Sequence, residues 1–236
     1  MTYAILAAGE GSRLAQEGCL VPKPLVRISD ETLIGRLIRL FLGAGATRIV
    51  VIVNEQHTAT RQYLDTLALP IPLEVVVQST PSSMHSLYAI RHLLASEERY
   101  CITTVDTIFS EHEFAEYIRT FRSSPLDGLM AVTTYVDDEK PLYVQTSEDL
   151  TITNFCDSCQ EHCHHVSGGI YCLTRKALDT LSRCINQGQS RMRNFQRQLV
   201  ADGLTLQAYP FSKIIDVDHC TDILKAEQLI REWQRA

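Results

Sequence analysis

Apolar residues in the first half of the chain recur in two rhythms. Short runs at residues 3–7, 49–53, 73–77 and 100–105 read as buried strands, and Ile49, Val50, Val51, Ile52 and Val53 are β-branched throughout, as a central parallel strand requires. Between them Leu33, Ile34, Leu37, Ile38 and Phe41 share one helical face, with Gly43 and Gly45 marking its end. A weaker helix is expected at 58–68, and the same spacing returns at Leu87, Ile90, Leu93 and Leu94 and at Phe114, Tyr117, Ile118 and Phe121. Four strand–helix units in succession predict a mostly parallel sheet with helices on both faces. After Pro125 the rhythm shortens. Strands are expected at 128–136, 142–146, 150–155 and 166–173, in more antiparallel succession, then helices at 175–184 and 193–201. Strands at 204–211 and 214–217 and an amphipathic helix at 221–233 complete the pattern. One domain spanning 1–236 is expected, an α/β fold with a first half (1–125) and a more mixed second half (126–236).

Composition narrows the class. Of 236 residues, 45% are hydrophobic and 21% charged, which suits a globular chain with a sizeable core. The formal net charge of -6 disfavours nonspecific attraction to nucleic acid or to an anionic membrane. The start of the chain lacks the basic, long-apolar pattern of a secretory signal, and its most apolar run is too short to span a bilayer, so a cytoplasmic location is expected. The eight cysteines are then mostly reduced thiols.

The chemistry starts where the first strand hands over to a loop. Leu6-Ala7-Ala8-Gly9-Glu10-Gly11-Ser12-Arg13-Leu14 lets backbone N–H groups approach a polyphosphate, and a short helix follows. Arg13 offers a rigid fork of donors for phosphate oxygens. Lys23, bracketed by Pro22 and Pro24, is placed to meet charge developing on a transferring phosphoryl group. As an exposed loop residue it would contribute little packing. The spacing matches neither a Walker loop nor the dinucleotide fingerprint.

Leu-Ala-Ala-Gly-x-Gly-x-Arg-Leu followed by Pro-Lys-Pro-Leu resembles the signature of nucleotidyltransferases that activate sugar phosphates and related alcohol phosphates. The resemblance covers nearly the whole chain. It implies a Rossmann-like mixed sheet sandwiched by helices, similar to A-type glycosyltransferases. It also implies that Leu6, Ala7, Ala8, Gly9, Gly11 and Ser12 wrap an NTP while Arg13 and Lys23 contact its phosphates.

Other segments fall into place beside that resemblance. Asp106 closes a strand at the carboxyl edge of the sheet, where α/β ligand sites form and an aspartate can hold Mg²⁺. The family pattern has Gly-Asp there, and this chain has Val105-Asp106. Near the other end, Ile214-Ile215-Asp216-Val217-Asp218 resembles the family's late Asp-x-Asp segment. Asp216 takes the second metal position, and Asp218, on the same side by period two, is expected to assist or to coordinate the metal directly. Asp222 reads as a helix cap. Residues 78–87 lie where the family reads base and ribose. Gln78, Ser83 and Ser86 are the candidates, and Ser83-Met84-His85-Ser86-Leu87 is similar to the phosphocholine cytidylyltransferase variant, favouring CTP or UTP. Ser83 or Ser86 could equally cap a helix. Gly168 and Gly169 stand beside the expected acceptor pocket or form a bulge. Cys156, Cys159, His162, Cys163, His164 and His165 form one cluster. Either it is a polar loop near the acceptor, or it holds a metal.

Transfer of a nucleoside monophosphate from NTP to a phosphorylated acceptor is therefore expected, with release of pyrophosphate and Mg²⁺ as cofactor. A sugar 1-phosphate is the favoured acceptor and phosphocholine the alternative; assembly into a homo-oligomer stays open. A phosphate acceptor is already anionic, so the lack of a Ser-His-Asp or Cys-His arrangement is expected as well. A glycosyltransferase of the same fold and a catalytically silent nucleotide sensor are the competing readings.

Overall fold

A computed structural model describes residues 1–137, 139–159 and 163–235. β1 (Thr2–Ala7) leads through α1 (Ser12–Gln16), a short 3₁₀ turn at Lys23–Leu25 and the small hairpin β2 (Arg27–Ile28) and β3 (Glu31–Thr32) into α2 (Leu33–Gly43). Next come β4 (Arg48–Val53), α3 (Thr58–Asp65), β5 (Leu73–Val77), α4 (Ser83–Leu94) and β6 (Arg99–Thr104). β1 pairs in parallel with both β4 and β6, and β4 with β5, so this half is the expected parallel sheet.

β1 shows why its sequence is apolar without a break. Tyr3, Ile5 and Ala7 enter one core with residues of α2 and of α5 (Glu111–Ser123). Ala4 and Leu6, pointing the other way, enter a second core with α4. A strand covered on both faces favours apolar residues, and the one polar residue of β1, buried Thr2, has its hydroxyl bonded to Glu97.

The second half extends this sheet with antiparallel pairs. After the two-residue strand β7 (Thr107–Ile108) and α5 come β8 (Gly128–Thr133), β9 (Tyr143–Thr146), β10 (Ile152–Cys156) and the long β11 (His165–Thr174). β11 runs antiparallel to β6 and so carries the sheet from one half into the other. It also pairs with β8 and, through its first two residues, with β9. α6 (Lys176–Asn186) and α7 (Met192–Ala201) cover the α4 face. β12 (Leu206–Phe211) then lies parallel to β8. Among the described residues the sheet has nine strands, in the order β10-β9-β11-β6-β1-β4-β5 with β8 and β12 branching from β11.

Two expectations change here. The strand expected at 128–136 stops at Thr133. The strand expected at 214–217 is β13 (Ile215–Asp216), which stays outside the nine-stranded sheet and pairs with β7. α8 (Cys220–Arg235) completes the fold, its Ala226, Leu229 and Ile230 packed into the first core.

Candidate active site

Three adjoining cavities open where β1 and β6 end. The largest, about 580 Å³, is lined by Leu6, Ala8, Gly9, Gly11, Ser12, Arg13, Lys23, Ser83, Ser86, Asp106 and Asp218, along with Thr80, Ser82 and Thr104. A second of about 340 Å³ shares Ser83, Thr104 and Asp106 with it and adds Gly169, Asp216, Arg191, Arg193 and Gln196. A third of about 180 Å³ joins Arg13, Asp216 and Asp218 to Gly168. Positions spread over the whole chain thus meet in one cleft. Two candidates do not reach it. Ala7 turns into the core with 1% exposure. Gln78 is exposed beyond β5, its N–H bonded to the Val53 carbonyl, and is absent from the walls of all three cavities.

Lys23 sits at the centre. Its Nζ donates to Asp106 Oδ2 at 2.5 Å and to Asp218 Oδ1 at 2.6 Å, and its side chain is only 10% exposed. Sequence reading took it for an exposed loop charge. It is instead a buried bridge, because the turn at Lys23–Leu25 directs it inward. Burial alone would lower its pKa, but Asp106 and Asp218 outweigh that, and the ammonium is held above the ordinary lysine range. Gly11 permits this geometry. Its φ is +64°, and a Cβ there would lie 2.9 Å from Lys23 Cβ.

Asp218 accepts from Arg13 Nη1 at 2.6 Å through its other oxygen. Both carboxylate oxygens are therefore taken up by cations, while the residue still lines the third cavity together with Asp216. β13 ends at Asp216, so a period of two does not extend to Asp218. Asp106 is half-buried. Burial would raise its carboxyl, but the Lys23 ammonium prevails and holds it below the usual carboxylate range. Asp216 is shifted the other way. Crowding by the walls and then by the Asp106 charge raise its carboxyl, although the side chain faces the open cleft, where solvent softens the effect. The two aspartates approach because Asp216 pairs across the β13–β7 ribbon with Thr107, next to Asp106. β13 lies outside the nine-stranded sheet, so it is this ribbon and not the edge of the parallel sheet that brings Asp216 in.

The remaining candidates resolve by their partners. The cap of α4 is Ser82, which accepts from the His85 N–H; Ser83 and Ser86 line the large cavity instead. Asp222 accepts from the N–H groups of Asp218 and His219 and so fastens the start of α8, as a cap does. Gly169, with φ +74°, sits at the irregularity of β11, where a Cβ would meet Thr107 Oγ1 at 2.9 Å. A Cβ at Gly168 would meet Ile214 Cδ1 more closely still. These two glycines form a bulge and also line the smaller cavities. Of the cysteine–histidine cluster, His162 lies outside the described residues; among those described, no three His, Cys, Asp or Glu side chains gather as a metal-holding group.

Sequence reasoning missed several supports. Glu17 accepts from the Cys220 N–H at 2.7 Å and pairs with His219 Nδ1 at 2.5 Å, which ties the late segment to the end of α1. Buried Asn54 donates to the Ala8 carbonyl at 3.0 Å and anchors the Gly-rich loop. Its signal was a polar residue directly after five apolar ones. Arg191 and Arg193 carried only a weak signal, two bases at the start of a helix.

A glycine loop, a buried lysine and clustered aspartates gather at the carboxyl edge of an α/β sheet, the place where ligand sites of such sheets form. The comparisons make the class specific. Residues 3–202 match the MobA-like NTP transferase domain, and the chain belongs to that family. It is 24% identical over 240 residues to the bifunctional IPC transferase and DIPP synthase of Rubrobacter xylanophilus, covering 98% of this chain and 52% of that protein. It is 25% identical over 188 residues to the mannose-1-phosphate guanyltransferase of Schizosaccharomyces pombe, covering 77% of this chain and 52% of that one. The chain thus spans about half the length of these relatives. The inositol-1-phosphate CTP transferase from T. maritima superposes with a TM-score of 0.82 at 18% identity, over 99% of this chain and 96% of that one, and shares the fold. No helix among the described residues is long and apolar enough to cross a membrane.

Proposed function

We propose that this chain transfers a nucleoside monophosphate from NTP to a phosphorylated acceptor and releases pyrophosphate. One observation carries the reading: Lys23 lines the large cavity, kept protonated between Asp218 and Asp106, the residue that the second cavity shares, with Arg13 beside it. The NTP occupies the large cavity, its triphosphate along Gly9, Gly11 and Ser12. The acceptor occupies the second, past Asp106. An acceptor phosphate oxygen attacks the α-phosphorus; the bond from that phosphorus to the β-bridging oxygen breaks, and pyrophosphate leaves with the electron pair. Lys23 and Arg13 meet the charge that builds on the phosphoryl oxygens, and no side chain need take a proton from an anionic acceptor.

Asp106 and Asp216 suit Mg²⁺, since two carboxylates crowd together and one is raised by the other's charge. When bound, the ion would neutralise phosphate charge. Among the described residues no third carboxylate, histidine or cysteine gathers with them, so substrate phosphates and water would supply the other ligands. The favoured acceptor is a sugar 1-phosphate, which fits the names of the relatives, with phosphocholine second. For the donor, the segment Ser83–Leu87 favours CTP or UTP.

Pyrophosphate release, measured with each of four NTPs against glucose 1-phosphate, mannose 1-phosphate, myo-inositol 1-phosphate and phosphocholine, tests this. Mg²⁺-dependent release that requires both substrates is expected. Release without any acceptor, or none with any pair, rejects the reading.

A further inference from the structure

The second cavity has a wall that neither the Gly-rich loop nor the aspartates explain. Arg191, Arg193 and Gln196 reach it from the first turn and a half of α7, and Lys140, Ser167 and Tyr171 stand with them. Arg191 precedes the helix with φ +72°, in a region a residue with a side chain rarely adopts, and no side chain caps the helix there. Such backbone strain persists where surrounding contacts enforce it. Here the Arg191 N–H donates to Ser82 Oγ at 3.4 Å, the hydroxyl that also caps α4, so the start of α7 is fixed against the large cavity. Arg193 is fixed from the other side. Its Nη1 bonds Asp157 at 2.5 Å, and its Nη2 donates to the Lys140 carbonyl at 2.9 Å.

One turn further, Gln196 is 3% exposed and accepts from Ser167 Oγ at 2.9 Å, while its Nε2 donates to Tyr171 Oη at 3.4 Å. The cavity therefore has a cationic end and an uncharged hydrogen-bonding end. Two guanidinium groups match a phosphate dianion, and Arg193, oriented by Asp157 and the Lys140 carbonyl, still has N–H donors beyond those two bonds. The amide and hydroxyls match a ring of alcohols, and a site built to hydrogen-bond hydroxyls rejects ligands without them. A quaternary ammonium group would want aromatic faces and no cations, yet Tyr171 is the single aromatic residue in this lining.

Resting on the proposed reaction, we infer that Arg191 and Arg193 clamp the acceptor's phosphate, that Gln196 reads its hydroxyls, and that the acceptor is a phosphorylated polyol, a sugar or a cyclitol, rather than phosphocholine. The clamp places the attacking oxygen between α7 and Asp106, opposite the loop that holds the donor.

Steady-state kinetics on Arg191→Gln, Arg193→Gln and Arg193→Lys, with the panel above, test the assignment. For whichever polyol phosphate is used, each Gln variant should raise the acceptor KM by about 10- to 100-fold, the worth of a charge-assisted hydrogen bond. The NTP KM should shift less than about threefold, and Arg193→Lys should recover part of the loss. An unchanged acceptor KM in both Gln variants, or higher kcat/KM for phosphocholine than for every polyol phosphate, overturns the inference with the reaction intact. Calorimetric binding of glucose 1-phosphate, mannose 1-phosphate and myo-inositol 1-phosphate without NTP separates the two claims. If the wild type binds one of them and the Gln variants do not, while no pair is turned over, the reaction fails and the subsite stands. If none of them binds and none is turned over, both fail.

Discussion

The cavity behind the Gly-rich loop and the cavity under α7 share Asp106 but are built by different means. The first is framed by backbone, with a glycine loop leaving β1, a 3₁₀ turn carrying Lys23 and the capped start of α4. The second is framed by side chains from elements far apart in sequence, namely the bulge of β11, the first turns of α7 and the β13 ribbon. A backbone frame must be encoded locally, in consecutive glycines and prolines. A side-chain frame needs only that distant elements pack correctly, so it leaves scattered marks. The charge balance differs too. Lys23 neutralises Asp106 and Asp218 on the first side, whereas Asp216 faces the second without a cation bonded to it among the described residues.

The largest effect is expected at the shared centre. Lys23→Ala should lower saturated turnover roughly 10²-fold or more, as read by pyrophosphate release. It should also lower the melting temperature by several degrees, because it strands two carboxylates around a buried site. Unchanged turnover at saturation would make Lys23 a structural bridge alone.

The aspartates sharpen the contrast. Asp106→Asn and Asp216→Asn should each abolish metal-dependent turnover. Their stabilities should part, however. Asp106→Asn removes the partner of Lys23 and should melt earlier, whereas Asp216→Asn relieves carboxylate crowding and should melt at the same temperature or slightly higher. Equal falls in melting temperature, measured without added metal, would erase the proposed difference between the two sides. Asp218→Asn should be milder in turnover than either.

These differences explain what the sequence made legible. The parallel half was readable because β1 and β4 are buried on both faces and the helices between them keep strict apolar faces. The glycine loop, Lys23, Asp106 and Asp216 were readable as local motifs. The burial of Lys23 was not, since it depends on Gly11 lying against it, a contact across 12 positions that no local pattern announces. The pairing of Asp218 with Lys23 and Arg13 was not legible, because β13 ends at Asp216 and strand alternation says nothing of Asp218. Gln78 stays outside the cleft because its N–H continues the pairing beside β4, and the loop lines the large cavity only from Thr80 on. Arg191 and Arg193 were missed because two arginines at a helix start are ordinary on a surface, and only the packing of α7 over β11 brings them to the cavity.

A moderate effect separates the two glycines of the loop. A Cβ at Gly9 would meet nothing within 4 Å, so Gly9→Ala should leave the melting temperature unchanged and raise the NTP KM if the triphosphate passes there. Gly11→Ala forces an alanine into φ +64° against Lys23 and should cost about 1–2 kcal/mol of stability. Denaturant melts of both variants check this, and equal stabilities would mean that the loop relaxes without consequence.

The smallest effect lies at the clip between Glu17 and His219, which joins the end of α1 to the segment carrying Asp216 and Asp218. The bond to Glu17 raises the His219 pKa, with Asp222 and Glu139 nearby acting in the same direction. Glu17 is lowered, first by the Cys220 N–H and then by His219. The signs follow from linkage. A histidine raised on folding stabilises fully below its unfolded value of about 6.5 and loses that contribution as pH rises through the higher folded value. A glutamate lowered on folding stabilises above about 4.3 and loses its contribution as pH falls through the lower folded value. The clip should therefore be strongest between those limits and fade on the alkaline side. Both side chains are partly exposed, so solvent and salt keep the effect small. In melting curves from pH 5 to 9 without added metal, the wild type should lose more stability above neutrality than Glu17→Gln, which keeps an acceptor for the Cys220 N–H but no charge. Parallel curves for the two proteins would mean that the pair is only a surface contact, and that Asp222, not Glu17, holds the late segment in place.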